Sequence, residues 1–101
     1  MRSIIKLVIK PEMNAAFENA FLKAGMLTRP KELDPDFEGE LLRSLSDPTT
    51  YHVIATWGSP EAYTRWQQTS AEGADEAAMA VLSEALVEAE PGKIYELIAR
   101  R

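Results

Sequence analysis

The chain has no cysteine among its 101 residues. A disulfide framework, a cysteine-ligated zinc and a thiol nucleophile are therefore all excluded. A basic surplus is missing too. Eleven Lys and Arg stand against 16 Asp and Glu, a formal net charge of −5, which argues against a nucleic-acid partner because phosphate backbones are met by a basic face. Long apolar runs are absent. The opening MRSIIKLVIK is interrupted by Lys6 and Lys10, too short and too charged for a signal peptide or a membrane span. The expectation is a cytoplasmic protein with no membrane partner. No Gly-rich phosphate loop, Ser-His-Asp spacing or EF-hand pattern occurs, and the acids of AEGADEA (71–77) read as a helix start, not a metal cluster. Histidine occurs once, at His52, and tryptophan twice, at Trp57 and Trp66.

What is present reads as one domain, 1–101, whose core is small enough for a partner chain to help it. In IIKLVIK (4–10), Ile5, Leu7 and Ile9 alternate with Ile4, Lys6, Val8 and Lys10, the period of a strand. Pro11 ends it and can sit in the first turn of a helix. That helix carries Met13, Phe17 and Phe21 at steps of four and ends near Gly25. Residues 28–36, TRPKELDPD, form a charged, proline-bearing loop longer than is usual in a small domain, expected to be mobile and to flank a pocket mouth. FEGELLRSLS (37–46) and YHVIATW (51–57) make a hairpin around DPTT. Ser59 caps a helix with Pro60 at its first position. After TSAEGA, residues 75–90 read as a second helical piece, and KIYELIA (93–99), beyond Pro91-Gly92, as the last strand.

The order β-α-β-β-α-β predicts an α+β, ferredoxin-like fold: an antiparallel sheet with helices on one face. The other face should be polar, yet Ile54 lies opposite Val53 and Leu97 opposite Ile98, so both faces need cover. A homodimer packed sheet to sheet is the simplest solution.

The stretch DFEGELLRSLSDPTTYHVIATWGSPEAYTRWQQTS (36–70) resembles the centre of the antibiotic biosynthesis monooxygenase family. The marks are Phe37-x-Gly39 before the hairpin, a strand ending in Trp57, a helix start at Ser59-Pro60-Glu61-Ala62-Tyr63, and the aromatic Trp66. In element order the likeness runs from residue 4 to 99. It implies a dimeric α/β barrel and, in one branch, small oxygenases that act on quinols or aromatic polyketides with O₂ and without metal or flavin. The heme-degrading branch has an Asn on the first strand and an iron-ligating His after the second helix. Only its Trp has a counterpart here, Trp66, so no heme and no other cofactor is expected.

Cofactor-free oxygenation needs an apolar pocket, a proton acceptor, and donors for the substrate anion. Trp66 supplies a flat wall and an indole donor. His52 is the one histidine, and histidine is the side chain that exchanges protons near neutral pH. Tyr63, Trp57, Tyr51, Phe17 and Phe21 complete the candidate lining. Each has ordinary packing as its alternative role. The same barrel could instead cyclise a polyketide-like aromatic without oxidation, or merely bind a small ligand.

Overall fold

The computed structural model describes residues 1–101. Its elements are β1 (Arg2–Ile9), α1 (Asn14–Lys23), a 3₁₀ turn (Arg29–Glu32), β2 (Glu38–Arg43), β3 (Thr50–Thr56), α2 (Pro60–Thr69), α3 (Glu76–Ala85), β4 (Leu86–Ala89) and β5 (Lys93–Tyr95). All pairings are antiparallel, in the order β2-β3-β1-β4, and β5 also pairs with β1. This is the expected ferredoxin-like sheet, with the first and third strands at its centre.

The C-terminal third corrects two expectations. Residues 75–90 are not one helix, because α3 stops at Ala85 and Leu86 turns to extended backbone (φ −73°, ψ 125°). Ala78, Ala85 and Ala89 suit a helical stripe, but β1 has an unpaired edge there. Leu86–Ala89 satisfies it, with Val8 opposite Glu88 and Leu7 opposite Ala89. Pairing with the open backbone ladder of β1 overrides the helical propensity of these residues, as tertiary context commonly does. The last strand is likewise shorter than 93–99. Tyr95 already faces Arg2, the first residue of β1, so nothing remains for 96–101 to pair with. β4 and β5 together form one strand along a single edge, interrupted at Pro91, which has no N–H to donate. Smaller differences occur at two turns. α1 starts at Asn14, because Glu12 adopts φ 69° between Pro11 and the helix. β2 ends at Arg43, which leaves Leu45 fully exposed in the turn.

The loop at 28–36 is folded. Pro30 is buried within the 3₁₀ turn. The buried Asp34 accepts the Gly58 amide at 2.6 Å and the Asp36 amide at 2.9 Å, stitching the loop to the corner between β3 and α2. It is a strut beside that corner, where a mobile segment was expected. Gly25 begins this segment at φ 75°, where a side chain would be strained and would also strike the Arg29 stem.

Alternation along the strands divides the sheet. The inner face carries Ile9, Tyr51 and Ala55 into two aromatic clusters beneath the helices. One gathers Ile9, Phe17, Phe21, Tyr51 and Ala85; the other gathers Phe37, Ala55, Trp57 and Tyr63. On the outer face Ile4 lies beside Ile54, and His52 lies between Leu42 and Lys6. No helix of this chain covers that face.

Candidate functional site

Between α2 and the inner face lies a cavity of about 300 Å³. Its floor is Ser3 and Ile5 of β1 with Val53 and Ala55 of β3. Phe37, Trp57, Tyr63 and Trp66 are its aromatic walls. The corner Trp57-Gly58-Ser59-Pro60 builds it. Ser59 Oγ accepts the Ala62 amide at 3.2 Å and Pro60 opens the first turn, so α2 starts at a fixed angle and returns Tyr63 and Trp66 to the sheet. Trp57 packs edge-on to Phe37 (4.8 Å, 61°) and to Tyr63 (5.6 Å, 70°), a geometry favoured by aromatic quadrupoles.

The two indoles differ in chemistry. Trp57 is buried and its Nε1 donates to Ser3 Oγ at 2.9 Å. Trp66 is half-buried, and its Nε1, which makes no hydrogen bond within the chain, is accessible to solvent. The Arg29 guanidinium stacks over the Trp66 ring at 5.1 Å. Arg29 also donates to the carbonyls of Ala24 (3.1 Å), Ser70 (2.9 Å) and Glu72. It thereby serves the ends of α1 and α2, where carbonyls lack helical partners.

Tyr63 is the second uncommitted donor. Its Oη accepts from Gln67 Nε2 at 2.8 Å, which leaves its own proton free to donate. Burial pushes this phenol above the usual tyrosine value and the Gln67 hydrogen bond offsets part of that, so it stays protonated at neutral pH. Gly92, between β4 and β5, passes directly over Tyr63 Oη, where any side chain would collide with it. The lining contains no Asp, Glu, His, Lys or Arg. It can bind an aromatic ring and hold an oxyanion, but it offers no carboxylate or imidazole to take a proton.

The sequence-derived candidates divide accordingly. Trp66, Tyr63 and Trp57 meet in this cavity. Phe17 and Phe21 line a neighbouring hollow beneath α1 and α3. Tyr51 lies in neither. Its ring packs on Phe17 at 4.7 Å, while its Oη donates to Glu18 Oε2 at 2.5 Å and accepts from Asn14 Nδ2 at 2.8 Å. His52 is on the outer face, with the sheet between it and Trp66. Alternation puts neighbours on a strand on opposite faces, and His52 precedes the cavity residue Val53. Sequence reasoning missed Ser3, Met26, Gln67 and Arg29. Gln67 was open to detection, being one helical turn after Tyr63. Arg29 gave no signal, since its partners are 41 and 43 positions away in sequence.

Fold and cavity define a small ferredoxin-like α+β protein with an aromatic site between sheet and second helix. Comparison with known proteins agrees. Residues 37–74 match the model of the antibiotic biosynthesis monooxygenase family. The match covers the hairpin, the corner and α2, the stretch that walls the cavity. Among solved structures it is similar to a protein from Nitrosomonas europaea provisionally described as an antibiotic biosynthesis monooxygenase. The TM-score is 0.74 at 16% identity, over 97% of this chain and 98% of that one. A Caulobacter crescentus protein with the same provisional description gives 0.72 at 22% identity, over 97% and 89%. SnoaB, a cofactor-independent oxygenase from Streptomyces nogalater, gives 0.66 at 18% identity, over 99% and 96%. At these identities the likeness establishes the fold. No curated protein matches in sequence. No helix is long and apolar enough to cross a membrane, and no group of three or more His, Cys, Asp or Glu side chains is placed to hold a metal ion.

Proposed function

We propose that the chain is a cofactor-independent monooxygenase of phenolic, quinol or polyketide-like aromatic substrates. The observation that carries this reading is an aromatic cavity, with no charged side chain in its lining, walled by two residues that each keep a donor free, Tyr63 (Oη) and Trp66 (Nε1). Such a site stabilises an enolate or phenolate by fixed hydrogen bonds once the ring has displaced water from the cavity. The substrate anion then supplies electrons to O₂. An activated CH₂ becomes C=O: one oxygen atom enters the product, the other leaves as water with the two hydrogens, and no outside reductant is required. A substrate acidic enough to ionise in water suits a cavity that lacks a carboxylate or imidazole base. The family match of residues 37–74 and the likeness to SnoaB, a cofactor-independent oxygenase, support the same reading.

The test is oxygen uptake with a panel of anthrones, naphthols and hydroquinones, with ¹⁸O₂ to follow the incorporated atom. Uptake above the uncatalysed rate, with one labelled oxygen in the product, is expected. Tight binding without uptake would instead leave a small-ligand-binding protein, a reading favoured by the missing base. The same absence weighs against an aldol-type cyclase, which needs a proton acceptor.

The working unit in this reading is a homodimer. Ile4, Ile54 and Leu42 on the outer face have no cover within the chain, and each large apolar side chain buried there would contribute roughly 1.5–3 kcal/mol. Sedimentation at micromolar concentration should give about twice 11.3 kDa. A well-folded monomer would refute it.

A further inference from the structure

The second hollow, about 280 Å³, lies beneath α1 and α3. Leu7 forms its floor, Phe17 and Phe21 close it from α1, and Met79 and Leu82 close it from α3. Ser83 is its one polar residue. The hollow is partly open to solvent, and water in it finds a single hydroxyl, fewer partners than the roughly two to four of a well-held water. A guest seated there would remove apolar surface from water. Apolar matter is what the lining favours.

Its position relative to the first cavity gives it meaning. Met26 lines both. Along β1, Ser3 and Ile5 lie under the first cavity and Leu7 continues the same face under the second. The partition is an unbranched side chain with three rotatable bonds, the kind that moves aside most easily. Alone, the first cavity sits at the lower limit of organic-ligand pockets, about 300–1,000 Å³; together the two reach the middle of that range.

We infer that the second hollow is a tail subsite: it takes an aliphatic chain attached to the ring held between Trp57 and Trp66, with Met26 as the movable divider. The inference rests on the aromatic-ligand reading for the head group and adds the tail. Substrates with an alkyl chain several carbons long, not compact unsubstituted phenols, are then the preferred class.

The test is calorimetric binding of 4-alkylphenols from methyl to octyl, with linear 1-alkanols as headless probes. Affinity should rise about fourfold per added methylene until the hollow is filled. The alkanols should show the same dependence at weaker absolute affinity. Leu82 lines the second hollow and not the first, so Leu82→Trp should abolish the chain-length dependence and leave 4-methylphenol binding within about twofold. Near-UV circular dichroism checks its fold, and Leu82→Phe, a smaller intrusion, gives the same comparison if the Trp variant does not fold. A flat series in the native protein overturns the inference, as does a slope unchanged by filling the hollow. Chain-length dependence without oxygen uptake would leave the tail subsite standing and remove only the monooxygenase reading.

Discussion

Two tyrosines on the inner side of the sheet mark two kinds of region. Around Tyr51 the phenol is engaged within the chain both as donor and as acceptor. Its phenol is tied to Glu18 and Asn14, Arg43 donates to Glu18 at 2.9 Å, and Asn14 also donates to the Pro48 carbonyl at 2.7 Å. Around Tyr63 the phenol has one internal partner, Gln67, and Trp66 beside it has none for its Nε1. Both regions join aromatic rings to hydrogen-bonding groups. A closed network fixes the fold, whereas an open one is available to a ligand. The difference follows from the partners at hand: both tyrosines border a hollow, but α1 carries Asn14 and Glu18 to meet Tyr51, whereas Tyr63 meets only Gln67 of its own helix.

The sharpest way to break this comparison is Trp66→Phe. It keeps most of the wall and deletes the free donor. Turnover should fall by about 10²–10³-fold, the loss typical of one oxyanion donor, with little change in ligand affinity. Steady-state kinetics beside calorimetric binding checks it. Equal losses in affinity and turnover would mean that Trp66 only packs. Trp57→Phe should behave oppositely. It leaves Ser3 Oγ without its buried donor and should lower stability by about 1–3 kcal/mol.

Tyr51→Phe comes next in size. Two hydrogen bonds go, one to the Glu18 carboxylate and one from Asn14, but Glu18 keeps Arg43 and Asn14 keeps Pro48, so the charged bond dominates the cost, roughly 1.5–3 kcal/mol. For a domain of this size each kcal/mol lowers Tm by about 4–8 °C. Ligand affinity should not change. The same network sets a pH response. Burial and the Glu18 carboxylate both hold the Tyr51 phenol above its ordinary value of 10.0. The folded state therefore keeps this proton more tightly than the unfolded chain does. The contribution is complete below about pH 10 and is lost as pH rises through the folded value. Urea midpoints followed from pH 9 to 11 should fall in the native protein and fall less steeply in Tyr51→Phe.

Legibility in the sequence tracks how local the deciding physics is. The strand parity that separates Val53 from His52, the Ser59-Pro60 helix start and the left-handed Gly25 are each set by a few adjacent residues, and all could be read. The end of α3 could not. Leu86–Ala89 is drawn to the free edge of β1, some eighty positions earlier in the chain. Of the cavity, Trp57, Tyr63 and Trp66 were readable because one corner holds all three. Ser3, Met26 and Arg29 come from distant segments and carry no motif. The folded strut at 28–36 was hidden for the same reason, since Asp34 binds an amide 24 positions away.

The smallest expected effect concerns Arg29, where the open region is fastened to the closed framework. Its guanidinium takes three carbonyls from the ends of two helices and stacks on the one indole with a free donor. A planar fork can do this; an ammonium on a shorter reach cannot serve all three acceptors and the ring at once. Arg29→Lys keeps the charge, so any change reports geometry. Loss of the stacked contact is worth about 0.5–1 kcal/mol at a half-exposed site; Ser70 and Glu72 lie near the surface, and the lysine ammonium is left to serve the carbonyl of the buried Ala24. Stability should therefore fall only slightly. The informative readout is Trp66 itself. In a Trp57→Phe background its emission should shift to the red and its anisotropy should drop when Arg29 becomes Lys, and ligand affinity should weaken by about twofold to fivefold, in line with that energy. If emission, anisotropy and affinity all stay as they were, the indole is held by its cavity walls alone, and the boundary between the two regions lies inside α2 and not at Arg29.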